Sequence, residues 1–150
     1  MEADMVTIGQ SLPEWRISSL KGKQPAPAFE DWNGSPRLLL FYSIGCPGCK
    51  AQALPFARNL QADWAAGRVI GIHTRIEGPE YSQRQVEEIN QVYRLNFPVF
   101  LDQGHKTYDL YGAEGTPHWF LVDSEGRLLK SLFGSMPNTL QRIDLSILEI

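Results

Sequence analysis

The feature that most restricts the fold is Cys46-Pro47-Gly48-Cys49, a pair of cysteines set between a short apolar run and a helical pattern. Residues 37–43 are rich in Leu and aromatics and bounded by Asn33-Gly34-Ser35-Pro36 and by Gly45, so they read as a buried strand. After Pro47, the positions Ala51, Ala53, Leu54, Phe56, Ala57, Leu60 and Trp64 follow helical spacing up to Gly67. Pro47 suits a first helical turn, where its missing N–H has no intrahelical acceptor anyway. Pro55 sits inside the same helix and should kink it. The motif therefore lies where a strand ends and a helix begins.

That position carries chemistry. Two cysteines at this spacing on a helix start face the same side, close enough for a short disulfide. Unpaired N–H groups and the partial positive charge of the helix terminus stabilise a thiolate on Cys46. A thiolate is the nucleophile of disulfide exchange. Cys46 is thus the expected attacking group and Cys49, deeper along the helix, the expected resolving group. Two other uses of the pair stay open. Half of a zinc site would need two further ligands. The candidates are His73, His105 and His118, none near the motif in sequence and no two at metal-ligand spacing. Free cysteines can also be small buried hydrophobes, although the flanking Gly45, Pro47 and Gly48 argue against a simple core position.

The remaining pattern alternates strands and helices. Residues 68–76 read as a strand, 80–95 as a helix, 99–101 as a short strand, and 105–111 as a short helix closed by Gly112. Residues 119–122 and 127–133 read as strands joined by Asp123-Ser124-Glu125-Gly126, and 139–148 as a closing helix. Residues 21–27 read as a turn between two short strands, the first around 15–18. This order predicts an α/β fold, a mixed central sheet flanked by helices. With 150 residues and no internal repeat, the whole chain, 1–150, is expected to form a single domain and a monomer.

A second feature is Thr116-Pro117, opening the run Pro117-His118-Trp119-Phe120-Leu121-Val122. Proline is tolerated as the first residue of a strand. A cis bond here would present the Thr116 backbone to an extended substrate chain. An ordinary trans turn is the other reading. Lys50 and His118 flank the site and could tune Cys46 electrostatically.

At this point the sequence resembles the thioredoxin superfamily. Within it the likeness is to the TlpA/ResA-like thiol–disulfide oxidoreductases and their redoxin and AhpC-TSA relatives. The residues that carry it are the strand 38–43, Cys46 to Cys49, Pro55, Thr116-Pro117 and the tail Phe120-Leu121-Val122-Asp123-Ser124-Glu125-Gly126-Arg127. The resemblance runs from about Leu12 to the C-terminus. It implies a thioredoxin fold with an N-terminal hairpin and a central strand–helix insertion. It also implies that Pro117 is cis, lies beside the motif and binds substrate with Gly45, Pro47, Gly48 and Thr116. Three positions depart from the family pattern. Ile44-Gly45 stand where Trp and its neighbour are usual, Leu40 stands near the place of a buried acid, and Gln52 replaces a Glu. A buried acid would assist proton transfer from Cys49.

Two alternative functions share the fold. A thiol peroxidase would place Ser or Thr three residues before the reactive cysteine and Pro seven before it; Ser43 fits the first, Leu39 does not fit the second. A redox-inactive interaction module would keep the fold with inert thiols. The expected partners are disulfide- or dithiol-containing protein clients and an electron donor, with no cofactor and no metal. A net charge of −3 and the lack of a basic stretch with interleaved aromatics give no footprint for nucleic acid. The apolar runs are strand-sized, too short to cross a bilayer. The acidic start, Met1-Glu2-Ala3-Asp4-Met5, does not read as a secretory signal, so a cytoplasmic location is expected, or a periplasmic or extracytoplasmic one if a leader was removed.

Overall fold

The computed structural model describes residues 6–20, 26–75 and 80–150 of the chain. Its strands are β1 (Ile17–Ser19), β2 (Arg37–Tyr42), β3 (Arg68–His73), β4 (Val99–Asp102), β5 (His118–Val122) and β6 (Leu128–Phe133). Its α-helices are α1 (Leu54–Asp63), α2 (Gln83–Val92), α3 (Lys106–Tyr111) and α4 (Pro137–Leu148). The strands form one mixed sheet in the order β1-β4-β3-β2-β5-β6.

The apolar run 38–42 becomes the central strand because both its faces are covered. All of β2 is buried, paired parallel with β3 and antiparallel with β5. Successive side chains alternate between faces. Leu38, Leu40 and Tyr42 pack toward α1, α2 and α4, together with Leu54, Ala57, Val86 and Ile143. Leu39 and Phe41 pack on the other side against Trp15, Phe29, Tyr111 and Phe120. Each fully buried Leu of this kind contributes about 2 kcal/mol of hydrophobic stabilisation.

The helix after the motif departs from a regular α-helix in an informative way. Cys49–Ala53 forms a π-helical turn, and the Leu54 N–H reaches back to the Cys49 carbonyl. Pro55 then sits in the first turn of α1. Proline lacks a donor and crowds the carbonyl four residues back, so the kink expected at Pro55 takes the form of a widened turn just before it. The central insertion is present as α2 and β4, with β4 parallel to β3. Ser82 and Gln85 cap α2 reciprocally, and the Tyr42 hydroxyl donates to Asn90 Oδ1 at 2.7 Å, tying α2 to the sheet.

The N-terminal hairpin is corrected in part. Its first strand exists as β1, but β1 pairs antiparallel with β4 at the sheet edge. Most of the turn expected at 21–27 lies outside the described residues. Beyond it, residues 26–36 hold a 3-10 turn (Phe29–Trp32) and no second strand. The physical reason is at hand: the Phe29 N–H donates to Glu14 Oε2 at 2.8 Å and the Phe29 carbonyl accepts from buried Arg37, so side chains take up backbone groups that a hairpin would have paired.

Candidate redox site

β2 delivers the chain to the site, and a tight turn then aims it. The Cys46 N–H donates to the Ser43 carbonyl at 3.0 Å, and the Gly45 N–H donates to Ser43 Oγ at 3.2 Å. The buried Ile44 N–H donates to Nε2 of His73, at the end of neighbouring β3, at 3.1 Å. Gly45 and Pro47 are exposed, Cys46 and Gly48 half-buried, and Cys49 fully buried.

The two sulfurs occupy different environments although they are one turn apart. Both are free thiols. Cys46 Sγ lies 3.4 Å from the Thr116 carbonyl, to which its S–H donates, and it accepts the Cys49 backbone N–H at 3.2 Å. The N–H stabilises charge on the sulfur, as a helix start should. Cys49 is enclosed by apolar neighbours, and burial pushes its thiol well above the usual range. The backbone of Ser43 and the side chain of Thr116 act in the opposite sense on Cys49, but more weakly than burial. Thr116 therefore serves both cysteines, through its carbonyl for Cys46 and its hydroxyl for Cys49.

The Thr116–Pro117 peptide is cis, and Pro117 is buried at the entrance to β5. The loop after β6 is fixed beside it. Gly134 N–H donates to the Pro117 carbonyl at 2.8 Å, and Trp119 Nε1 donates to the Gly134 carbonyl at 2.9 Å. Ser135 then lies over Gly48, where an added Cβ would come within 2.8 Å of its Oγ, and donates to Gln52 Oε1 at 3.0 Å. A Cβ on Gly45 would collide with the Tyr81 hydroxyl. The glycines of the motif thus let Tyr81 and Ser135 close on it from two sides.

The structure brings Cys46, Cys49, Gly45, Gly48 and Thr116 together, with Pro117 adjacent. Lys50 lies half-buried in the π-helical turn, its N–H donating to the Cys46 carbonyl at 3.2 Å. His118 is buried on the Phe41–Phe120 side of the sheet, stacked on Phe120, while Cys46 packs against the opposite cluster. Its Nδ1 accepts from the Glu114 N–H and its Nε2 meets the Ser131 hydroxyl at 2.8 Å; burial lowers its pKa to about 4. Leu40 is fully buried beneath the site and Gln52 is exposed. Of the three histidines weighed as zinc ligands, His73 is engaged by Ile44 and His105 by Asp109. Among the described residues no three His, Cys, Asp or Glu converge as a metal cluster would.

Sequence reasoning missed His73, Tyr81 and Ser135 as parts of the site. His73 carried a usable signal, since it falls where the strand beside the motif ends. Ser135 and Tyr81 reach the site only through loop geometry.

Comparison with known proteins bears on the family and the fold. The chain is 24% identical over 135 residues to the thiol-disulfide oxidoreductase ResA of Geobacillus thermodenitrificans, covering 90% of this chain and 74% of that protein. It superposes with a TM-score of 0.82 on a Chlorobium tepidum protein assigned as thiol:disulfide interchange protein DsbE, at 22% identity, covering 96% of this chain and 97% of that one. A secreted Mycobacterium tuberculosis disulfide oxidoreductase homologous to Escherichia coli DsbE gives 0.70 at 20% identity, with 91% and 96% covered. These two share the thioredoxin-like fold. Residues 8–131 match the AhpC/TSA family throughout, a span that takes in both cysteines and Thr116-Pro117. The chain belongs to the AhpC/TSA family.

Proposed function

We propose that the chain is a thiol–disulfide oxidoreductase whose redox couple is Cys46 and Cys49. One observation carries this reading: a half-exposed sulfur that accepts a helix-start N–H stands one turn from a fully buried thiol. In the reducing direction, the Cys46 thiolate attacks a client disulfide, that bond breaks, and one client sulfur leaves as a thiolate. The Cys49 thiol then gives up its proton and attacks Cys46 Sγ. The second client sulfur is released and a Cys46–Cys49 disulfide remains. Two electrons have passed to the client, whose thiolates take up two protons. The oxidising direction reverses each step.

Thr116 supports both steps, and Gly45, Pro47 and Gly48 form the surface where a client chain would lie, with buried Pro117 behind Thr116. The clients are disulfide-containing proteins, as the names of the ResA and DsbE relatives suggest. An electron donor must return the couple to the dithiol form, and a single domain acting as a monomer suffices for this chemistry. No helix among the described residues is long and apolar enough to cross a membrane. The secreted character of the Mycobacterium relative favours an extracytoplasmic location over the cytoplasmic one expected from the N-terminal residues. Assay of the reduced protein against a protein disulfide and against hydrogen peroxide tests the reading. Turnover of the disulfide with little of the peroxide is expected; peroxide consumption alone would replace it with the peroxidase function.

A further inference from the structure

We propose that His73 is a positioning residue for this redox site, holding through its Nε2 atom the turn that carries Cys46. The inference rests on the oxidoreductase reading above and concerns a residue outside the cysteine motif. The hydrogen bonds of the sheet end just short of Cys46: the last between β2 and the β3 side is the Thr74 N–H donating to the Tyr42 carbonyl at 2.9 Å. Ile44 lies beyond it, and its N–H is in a buried setting where an unpaired donor is costly. The imidazole of His73 supplies the acceptor that a further strand residue would have given, at 3.1 Å.

Ile44 is the first inner residue of the turn closed by the Cys46 N–H on the Ser43 carbonyl. Fixing Ile44 fixes that turn. The turn in turn sets where Cys46 Sγ lies between the Cys49 N–H and the Thr116 carbonyl. The ring is itself held at right angles to Tyr42, with centroids 5.3 Å apart, and to Tyr81, at 6.3 Å. Tyr81 is the side chain that closes on Gly45. One imidazole thus links β3, the cysteine turn and the residue packed on it.

The bond requires a particular form of the ring. An N–H donor needs a lone pair on Nε2, so the ring is neutral with its proton on Nδ1. Protonating Nε2 would set two donors face to face. The titratable and charged groups around the ring are Tyr42 and Tyr81 and, lining the cleft that His73 borders, Arg75, Glu80, Asp102 and His105.

The test compares wild type, His73→Leu and His73→Gln, since leucine fills space without an acceptor and glutamine can present an amide oxygen. His73→Leu should lower kcat for disulfide reduction and the rate of Cys46 alkylation by about 10-fold with KM little changed, because a displaced nucleophile loses its alignment. His73→Gln should recover to within about threefold of wild type, as restoring one hydrogen bond implies. A folded His73→Leu protein matching wild type would overturn the proposal. Because that variant could fail to fold, nitrogen NMR of wild type at neutral pH gives an independent reading. An unprotonated Nε2 bonded to the Ile44 amide supports the proposal, and an Nε2–H tautomer overturns it. Wild type that reduces no disulfide would instead sink the oxidoreductase reading itself.

Discussion

The backbone N–H of Cys49 points at the sulfur of Cys46 from 3.2 Å away. In the proposed reaction, the resolving residue thus also stabilises the attacking one. Burial of the Cys49 thiol completes the asymmetry, because it favours the protonated form of the deeper sulfur.

This asymmetry separates the two serine variants. Cys46→Ser should abolish exchange and form no adduct with a client. Cys49→Ser should still attack and then stall, accumulating a mixed disulfide through Cys46. Non-reducing electrophoresis followed by mass mapping of the adduct distinguishes them.

Thr116→Val keeps the carbonyl that faces Cys46 and removes the hydroxyl that favours the Cys49 thiolate. The resolving step should slow by about 3- to 10-fold, in line with the loss of one hydrogen bond to a charged group. Attack by Cys46 should change little. Single-turnover kinetics with the mixed disulfide prepared in advance measures the resolving step alone.

Gly45→Ala places a methyl group against the Tyr81 hydroxyl. Tyr81 must swing aside, at a cost of about 1–3 kcal/mol for overpacking. Thermal unfolding should show the lost stability, and the exchange rate should fall as well because the turn before Cys46 is disturbed.

Buried His73 and His118 make stability depend on pH in one direction. Burial lowers both from the ordinary 6.5 to about 4. Between those values the unfolded chain binds protons that the folded chain does not, so stability falls as pH drops from about 6.5 toward 4 and levels off below. Each residue can contribute about 3 kcal/mol to this loss. Denaturant unfolding across this range should show the slope, and His73→Gln should reduce it by roughly half, one of two such histidines being removed.

At the far end of β2 from the cysteines, Arg37 is fully buried and donates to the Phe29 carbonyl at 3.1 Å, Asn33 Oδ1 at 2.8 Å and the Asp123 carbonyl at 3.2 Å. Arg37→Met removes these three donated hydrogen bonds, the Asp123 carbonyl keeping the Gly126 N–H, and should destabilise by about 2–4 kcal/mol. The folded fraction should keep wild-type exchange rates. Equal losses of stability and of rate per folded molecule would contradict that separation.

Much of this was legible in the sequence because local signals and global packing agree. The run from Leu38 to Tyr42 could only be a strand covered on both faces, and Pro47 and Gly67 bracket the following helix. Asp123-Ser124-Glu125-Gly126 announced the last hairpin: Asp123 Oδ1 accepts from the Glu125 and Arg127 amides, and Gly126 takes the positive φ of 88° that the turn requires. The partner of β1 was not legible, since a short edge strand is placed by long-range contacts that leave no local pattern. The π-helical turn was hidden for a similar reason. Pro55 signals a break, but whether it becomes a bend or a wider turn depends on how Cys49 and Leu54 pack. Ser135 and Tyr81 join the site through loops whose paths the residue order does not dictate.

The most direct test equilibrates the purified protein in glutathione buffers of graded ratio and counts free thiols by mass. One reversible two-electron transition is expected, in which Cys46 and Cys49 lose their thiols together to an intramolecular disulfide. Persistent free thiols across the series, or oxidation that ends in a glutathione adduct or an overoxidised Cys46 without that disulfide, would contradict it.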